Sequence, residues 1–353
     1  MFLSPYPHGI GPSQRFRFEQ YFNLLSDKFE ITQKTFWNEK SWNILFSDTN
    51  FLIKFYYLTI AFAKRKLLFF SLSKYDLIFI HREVAHIGPP IFEWLIKFVF
   101  RKKIIYDFDD AIWHLNYSDK NKIVRFFKST WKVKYICKWA DIVVTGNSYL
   151  ANYAKKYNPN VIIIPTTIDT TYHKKKNLKN EKLTIGWTGT LTTLKQLETA
   201  LPIIKKLKQK YNFTFYIISN EKPDFEIDFD FKKWQVDSEI EDLYKIDIGI
   251  MPLPDDEWAN GKCGLKGLQY MALEIPTIMS PVGVNTEIIQ DGINGFLAKS
   301  EQEWFDKLSL LIENQELRHQ LGKAGRETIV SRYSIEANQQ KYFEAFDLIL
   351  KGI

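Results

Sequence analysis

The stretch NGKCGLKGLQYMALEIPTIMSPVGVNTE, Asn260–Glu287, decides the fold. It predicts a tight loop, a short helix, a buried strand and a second glycine-containing loop. Helical spacing sets Leu265, Leu268, Met271 and Ala272 on one packing face. Gly261 and Gly264 allow close backbone approach at the helix start. N–H groups at a helix start favour an anion, and Lys262 and Lys266 lie one turn apart, so this end suits a diphosphate. Pro276 opens the strand Thr277–Met279, and Pro281-Val282-Gly283 turns the chain at its carboxyl end. Ligands of open α/β sheets bind at that edge.

Working outward, the chain repeats this alternation of strand, glycine loop and helix. Downstream, Asp291–Phe296 forms a turn between short strands, and helices fill most of residues 301–350. Upstream, the strand Leu183–Ile185 opens onto Gly186–Leu191. There Gly189 and Thr190 offer N–H and hydroxyl groups to a phosphate, and Lys195 adds charge. Strands at 213–219, 234–236 and 247–251 and a helix at 238–245 follow, and Pro252–Trp258 is expected to be a mobile loop. Residues 166–182 have no apolar period and include Lys174-Lys175-Lys176, which predicts a linker between domains 1–165 and 183–353.

The first half opens with a strand, Phe2–Ser4, then a loop holding Gly9 and Gly11, then a helix to about Leu25 capped by Ser13. Arg15 on that helix faces a phosphate or solvent. Further strands are predicted at 29–36, 76–81, 103–108, 140–145 and 161–165, with helical stretches at 42–70, 91–100, 117–139 and 147–157. His81-Arg82-Glu83 ends one strand, and Asp107-Phe108-Asp109-Asp110-Ala111-Ile112-Trp113 ends the next. Carboxylates there accept hydrogen bonds from sugar hydroxyls, act as a base, or cap the following segment, and a complete metal-ligand set is lacking. Between Phe51 and Lys74 large apolar residues interleave with Lys54, Lys64, Arg65, Lys66 and Lys74. That segment is too charged to span a bilayer. It suits a helix lying on an anionic membrane, or a core-facing helix with a basic end.

A chain of 353 residues, 45% hydrophobic, has room for two cores and is not disordered. A net charge of +7 admits nucleic acid, anionic membranes or phosphorylated substrates as partners. Cys137 and Cys263 are too far apart in sequence for a metal-ligand motif, which argues against a disulfide scaffold and for a reducing compartment. The N-terminus lacks a signal-peptide pattern and no uncharged run is long enough to cross a membrane, so a cytoplasmic location is expected.

QYMALEIPTIMSPVGVNTEII, the K-C-x-x-K pattern of Lys262–Lys266 ahead of it, and D-F-D-D-A-I-W together resemble one family across nearly the whole chain. This family is the retaining, nucleotide-sugar-dependent glycosyltransferases of family four, which have the GT-B fold. Two positions depart from its pattern. Gly261 and Gln269 stand where two Glu residues eight positions apart are usual, and Trp187 stands where an Arg is common; a subgroup with K-C-x-x-K is similar. The resemblance implies two Rossmann-like domains facing a central cleft, the first binding acceptor and the second donor, with the C-terminal helix packing back on the first domain. It implies transfer of a sugar, with retention, from a nucleotide-diphosphate sugar to a glycan or lipid-linked acceptor in bacterial surface polysaccharide or glycolipid synthesis. Neither a metal nor another cofactor is required, and nucleic acid is not a partner.

On this resemblance Lys262 and Lys266 carry the chemistry together with Asp109 and Asp110. The donor falls to the glycine loops at Gly9, Gly11, Gly189, Thr190 and Lys195, and to the organising stretch at Gly264, Gln269, Gly283, Val284, Asn285 and Glu287. Arg15, Arg82 and Glu83 face the acceptor. Gln269 occupies the place of a ribose-binding Glu, and an amide both accepts and donates there; a glutamate at this position is expected to be tolerated. Two other readings compete: a non-catalytic GT-B partner subunit, motivated by the missing acidic pair, and a nucleotide-sugar epimerase.

Overall fold

The computed structural model describes residues 1–47, 49–114, 129–176 and 181–351, in two units: residues 1–165 with 339–353, and residues 166–338. In the first unit six strands form one parallel sheet: β1 (Phe2–Ser4), β2 (Gln33–Thr35), β3 (Leu77–His81), β4 (Lys103–Phe108), β5 (Ile142–Thr145) and β6 (Val161–Ile163). Their order is β2-β1-β3-β4-β5-β6. The apolar runs explain the arrangement, because parallel strands are covered on both faces. Ile104, Ile105, Tyr106 and Phe108 of β4 are all buried. The strand order reverses between β1 and β3, which puts a binding crevice at their carboxyl ends.

The second unit repeats the plan with β7 (Thr184–Thr188), β8 (Thr214–Ser219), β9 (Asp230–Lys233), β10 (Ile248–Met251), β11 (Thr277–Met279) and β12 (Phe296–Leu297). These are parallel in the order β12-β11-β10-β7-β8-β9. Here the order reverses between β7 and β10. The helix Leu265–Ala272, between β10 and β11, buries Leu268, Met271 and Ala272 as its spacing predicts.

Several elements differ from the sequence expectation. Ser13 caps nothing: the helix is Pro12–Arg17, it begins after Gly11, and it stops at Phe18. Gly186 and Trp187 belong to β7 rather than to a loop, and Trp187 is fully buried in the core. The last strand of that side is Asp230–Lys233, so Trp234–Val236 lies beyond it. The 42–70 region is two helices, Glu39–Phe46 and Phe51–Leu68, capped by Asn38 and Asn50. Pro252–Trp258 is not wholly loop, because Asp256 accepts from Ala259 N–H at 2.7 Å and starts the helix Glu257–Asn260. Of the expected helix 117–139, Lys132–Trp139 is helical, and residues 117–128 lie outside the described residues.

Residues 166–176 are anchored as well: Ile168 is fully buried and bridges to Ser334, and Arg326 donates to the carbonyls of Thr170 and His173. The domain range 183–353 also runs too far, since residues from Gln339 on fall in the first unit. Tyr342, Ala345 and Phe346 are buried there, with Tyr342 at 4.6 Å from Tyr21 between ring centroids.

Candidate functional site

The second unit assembles its candidate site at the β7/β10 reversal. Gly264 is the residue that permits it. Its φ of +73° and ψ of 10° are left-handed, and a Cβ there would sit 2.4 Å from Ile288 Cδ1. Only glycine meets both conditions cheaply. It starts an eight-residue helix whose first N–H groups have no intrahelical acceptor. Gly283, at φ +53°, is the matching position in the second loop: a Cβ would fall 2.8 Å from the Asn260 carbonyl oxygen. The two glycine loops of the organising stretch therefore press together backbone to backbone.

Lys262 and Lys266 flank this helix start and are half-buried. Each ammonium lies over an indole: Lys262 Nζ is 4.7 Å from the Trp258 ring centroid and Lys266 Nζ 5.4 Å from that of Trp187. The buried tryptophan of β7 thus lies under one of the two cations. Asn285 is fully buried, and its Nδ2 donates to the Ser280 carbonyl at 3.0 Å. Its Oδ1, 3.6 Å from the position of a Gly264 Cβ, has no hydrogen-bond partner among the described residues. A buried acceptor left in this state costs roughly 1–3 kcal/mol, so the geometry suits a donor group arriving there, such as a hydroxyl. Val284 is buried beside it, and Glu287 is exposed in the first turn of the helix Asn285–Ile288.

Other expected donor contacts lie differently. The Gly189 N–H donates to the Ile218 carbonyl at 2.9 Å, and the Thr190 N–H donates to Thr193 Oγ1 at 3.0 Å. The first is spent on the neighbouring strand β8 and the second on the turn itself, and Lys195 is exposed one helical turn away. Gln269 is buried, and its Nε2 donates to Glu239 Oε1 at 3.2 Å. Trp234 Nε1 donates to the same oxygen at 3.3 Å. Glu239, itself buried, was no candidate from sequence, because its helix shows only an acidic first turn. Tyr270 was missed for a similar reason. Its hydroxyl accepts from the Thr188 N–H at 2.8 Å and ties the helix to the end of β7, yet in sequence it is one more apolar position.

In the first unit the β1/β3 reversal gathers a charged cluster. Arg82, at φ +58°, donates to Asp109 Oδ1 from Nε at 2.9 Å and from Nη2 at 2.7 Å, and to Asp110 Oδ2 at 2.6 Å. Ser13 is drawn here instead of capping its helix. Its hydroxyl donates to Asp109 Oδ1 at 2.8 Å and lies 2.7 Å from His81 Nε2, and His81 Nδ1 lies 2.7 Å from Asp107 Oδ2. Arg17 closes the far side on Asp107 and the Ile164 carbonyl. Burial alone raises the Asp109 carboxyl, but the charges of Arg82, His81 and Arg17 outweigh it and hold Asp109 far below the usual carboxylate range. Asp107 is lowered against burial in the same way by Arg17 and His81. Such a carboxylate is a weak base and a strong hydrogen-bond acceptor.

The remaining expected residues divide. Gly9 N–H donates to Glu19 Oε2 at 2.9 Å, and Gly11 immediately precedes the Pro12–Arg17 helix, so both shape the loop beside this cluster. Glu83 turns away to Lys132 at 2.6 Å and His86 at 3.0 Å. Arg15 lies over the Phe16 ring at 5.1 Å.

Residues 169–328, which contain the whole Gly264 site, match the family model described as glycosyl transferases group 1. No curated protein matches the chain in sequence. Among solved structures, sucrose-phosphate synthase from Thermosynechococcus elongatus is similar over 99% of both chains, with a TM-score of 0.70 at 12% identity. A glycosyltransferase from Rickettsia africae ESF-5 is similar over 100% of this chain and 99% of its own, with a TM-score of 0.68 at 15% identity. Anabaena HepE, solved with UDP and glucose, covers 98% of this chain and 99% of its own, with a TM-score of 0.67 at 13% identity. The chain thus has the α/β GT-B fold of two Rossmann-like units, and its second unit carries a glycosyl transferases group 1 domain.

Proposed function

We propose that this protein is a retaining glycosyltransferase that moves a sugar from a nucleotide-diphosphate sugar to a glycan or lipid-linked acceptor. One observation carries the reading: Gly264, Lys262, Lys266 and the Asn285 amide converge at the strand-order reversal of the matched domain. The helix start and the two ammoniums offset the charge that grows on the diphosphate as its bond to the anomeric carbon breaks. No metal or other cofactor is needed in this account. Asn285 Oδ1 accepts from a hydroxyl of the donor sugar. The acceptor oxygen forms the new bond on the face the diphosphate leaves, and its proton passes to a leaving phosphate oxygen. Asp109, held ionised chiefly by the Arg82 charge, and Asp110, paired with the same guanidinium, position acceptor hydroxyls instead of removing a proton.

The proposed setting is cytoplasmic, at an anionic membrane face, in synthesis of a bacterial surface glycan or glycolipid. HepE was solved with UDP-glucose, which supports a sugar nucleotide as donor. Radiolabelled UDP-, GDP- and ADP-sugars incubated with membrane extract test the proposal. Label transferred to the extract only in the presence of the protein is expected. Conversion of donor without any acceptor would mean an epimerase, and no conversion would mean a partner subunit.

A further inference from the structure

We propose that an aromatic ribbon on the first unit is a docking face for an anionic lipid bilayer. It rests on the proposed membrane setting for its purpose, but it uses residues outside the 51–74 segment that suggested that setting. The helix Ile91–Trp94, the π-helical stretch Leu95–Val99 and the helix Lys132–Trp139 pack side by side. Trp94, Phe98, Trp139, Tyr135 and Trp131 follow one another in ring contact, at centroid distances of 5.9, 5.8, 5.8 and 5.6 Å. Trp94 is 44% exposed, Phe98 49%, Trp131 49% and Tyr135 38%, so the ribbon presents its rings to the surroundings and not to the core.

Charge decides the occupant. Lys134 and Lys138 share the helix of Tyr135 and Trp139, and Lys134 Nζ lies 5.0 Å from the Tyr135 ring centroid; Arg101, exposed, follows the Leu95–Val99 stretch in sequence. The only acid of residues 91–103 and 131–139 is Glu93, which is buried and accepts from the Val84 N–H at 2.9 Å. Nearby Asp141 is paired with Lys97 at 2.7 Å. Tryptophan and tyrosine among lysines, on segments 91–103 and 131–139 whose one acid is buried, is the composition of a membrane interface. A protein partner is disfavoured, because lysine is depleted at protein interfaces and a second copy would bring the same charge.

Vesicle sedimentation tests this, with donor-induced thermal stabilisation followed on the same protein as an independent readout of the sugar-nucleotide reading. Pelleting with phosphatidylglycerol-containing vesicles and not with phosphatidylcholine alone is expected. Salt should weaken it, and Lys134→Gln and Lys138→Gln should each weaken it roughly fivefold. The triple variant Trp94→Ser, Phe98→Ser, Trp131→Ser should lose binding while keeping its unfolding temperature, and Phe51→Ser with Phe55→Ser should keep most of it. Brominated lipid should quench wild-type tryptophan fluorescence. Absence of wild-type binding or quenching overturns the proposal even if sugar nucleotides bind. So does undiminished binding of the triple variant, or loss of self-association as its only effect.

Discussion

Replacing Gln269 with Glu puts a second carboxylate where an amide now donates to Glu239. The Nε2 to Oε1 distance is 3.2 Å, and both side chains are buried. Two unit charges at that separation repel by about 5 kcal/mol at an effective dielectric of 20. Keeping one carboxyl protonated at pH 7.5 instead costs about 4 kcal/mol, from 1.36 kcal/mol per pH unit above an ordinary value near 4.3. The cheaper route wins, so the variant folds with one proton shared by the pair. Its folded-state carboxyl is raised above the unfolded value, which makes the deficit large at neutral pH and smaller as pH falls. For a unit of this size about 4 kcal/mol lowers the unfolding temperature by roughly 8–16 °C. Thermal unfolding of wild type and Gln269→Glu between pH 5 and 8 reads this directly. A variant as stable as wild type at pH 7.5 would refute the reasoning, and a deficit independent of pH would assign the loss to packing. This outcome is the opposite of the tolerance expected from sequence, and the measurement decides between them.

Three further outcomes follow from the same geometry. Lys262→Ala with Lys266→Ala should lower turnover by the roughly 2–4 kcal/mol of lost charge stabilisation while leaving the unfolding temperature nearly unchanged, as measured by donor consumption and calorimetry. Arg65→Met should destabilise by roughly 3–9 kcal/mol in denaturant titration, at about 1–3 kcal/mol for each carbonyl left unsatisfied; the guanidinium now reaches Val84, Lys34 and Ser4 at 2.8, 2.9 and 2.9 Å. Asp109→Asn should cost about 3 kcal/mol by leaving Arg82 short of its partner. Because the folded Asp109 carboxyl is depressed, its contribution is present above the unfolded value near 3.9 and lost as pH falls through the lower folded one. The gap between wild type and Asp109→Asn, followed by acid titration, should stay constant from pH 7 to about 5 and close only under strong acid.

What could be read from the chain was what is periodic or local. The run Leu183–Ile185, the strand Lys103–Phe108 and the Gly264 helix follow from apolar spacing and glycine position, and so did the plan of two parallel sheets. What escaped was set by contacts distant in sequence. Ser13 has the composition of a cap, but His81 and Asp109, 68 and 96 residues away, claim its hydroxyl. Arg65 sits in a basic trio, yet helical geometry turns it inward to three backbone carbonyls while Lys64 and Lys66 stay exposed. Glycine signalled a loop at Gly186, although a fully buried strand also accepts it. Glu239 and Gln269 are 30 residues apart and meet only once β10 and its helix are in place.

The central claim is that the Gly264 loop holds the diphosphate of a sugar nucleotide. Calorimetric titration of wild type and of Lys262→Ala, Lys266→Ala with UDP, GDP, ADP and inorganic diphosphate tests it most directly. At least one nucleoside diphosphate should bind wild type, and the double variant should lose roughly 2–4 kcal/mol of that affinity. Equal affinity in both proteins, or no nucleotide binding by the wild type, would contradict the account.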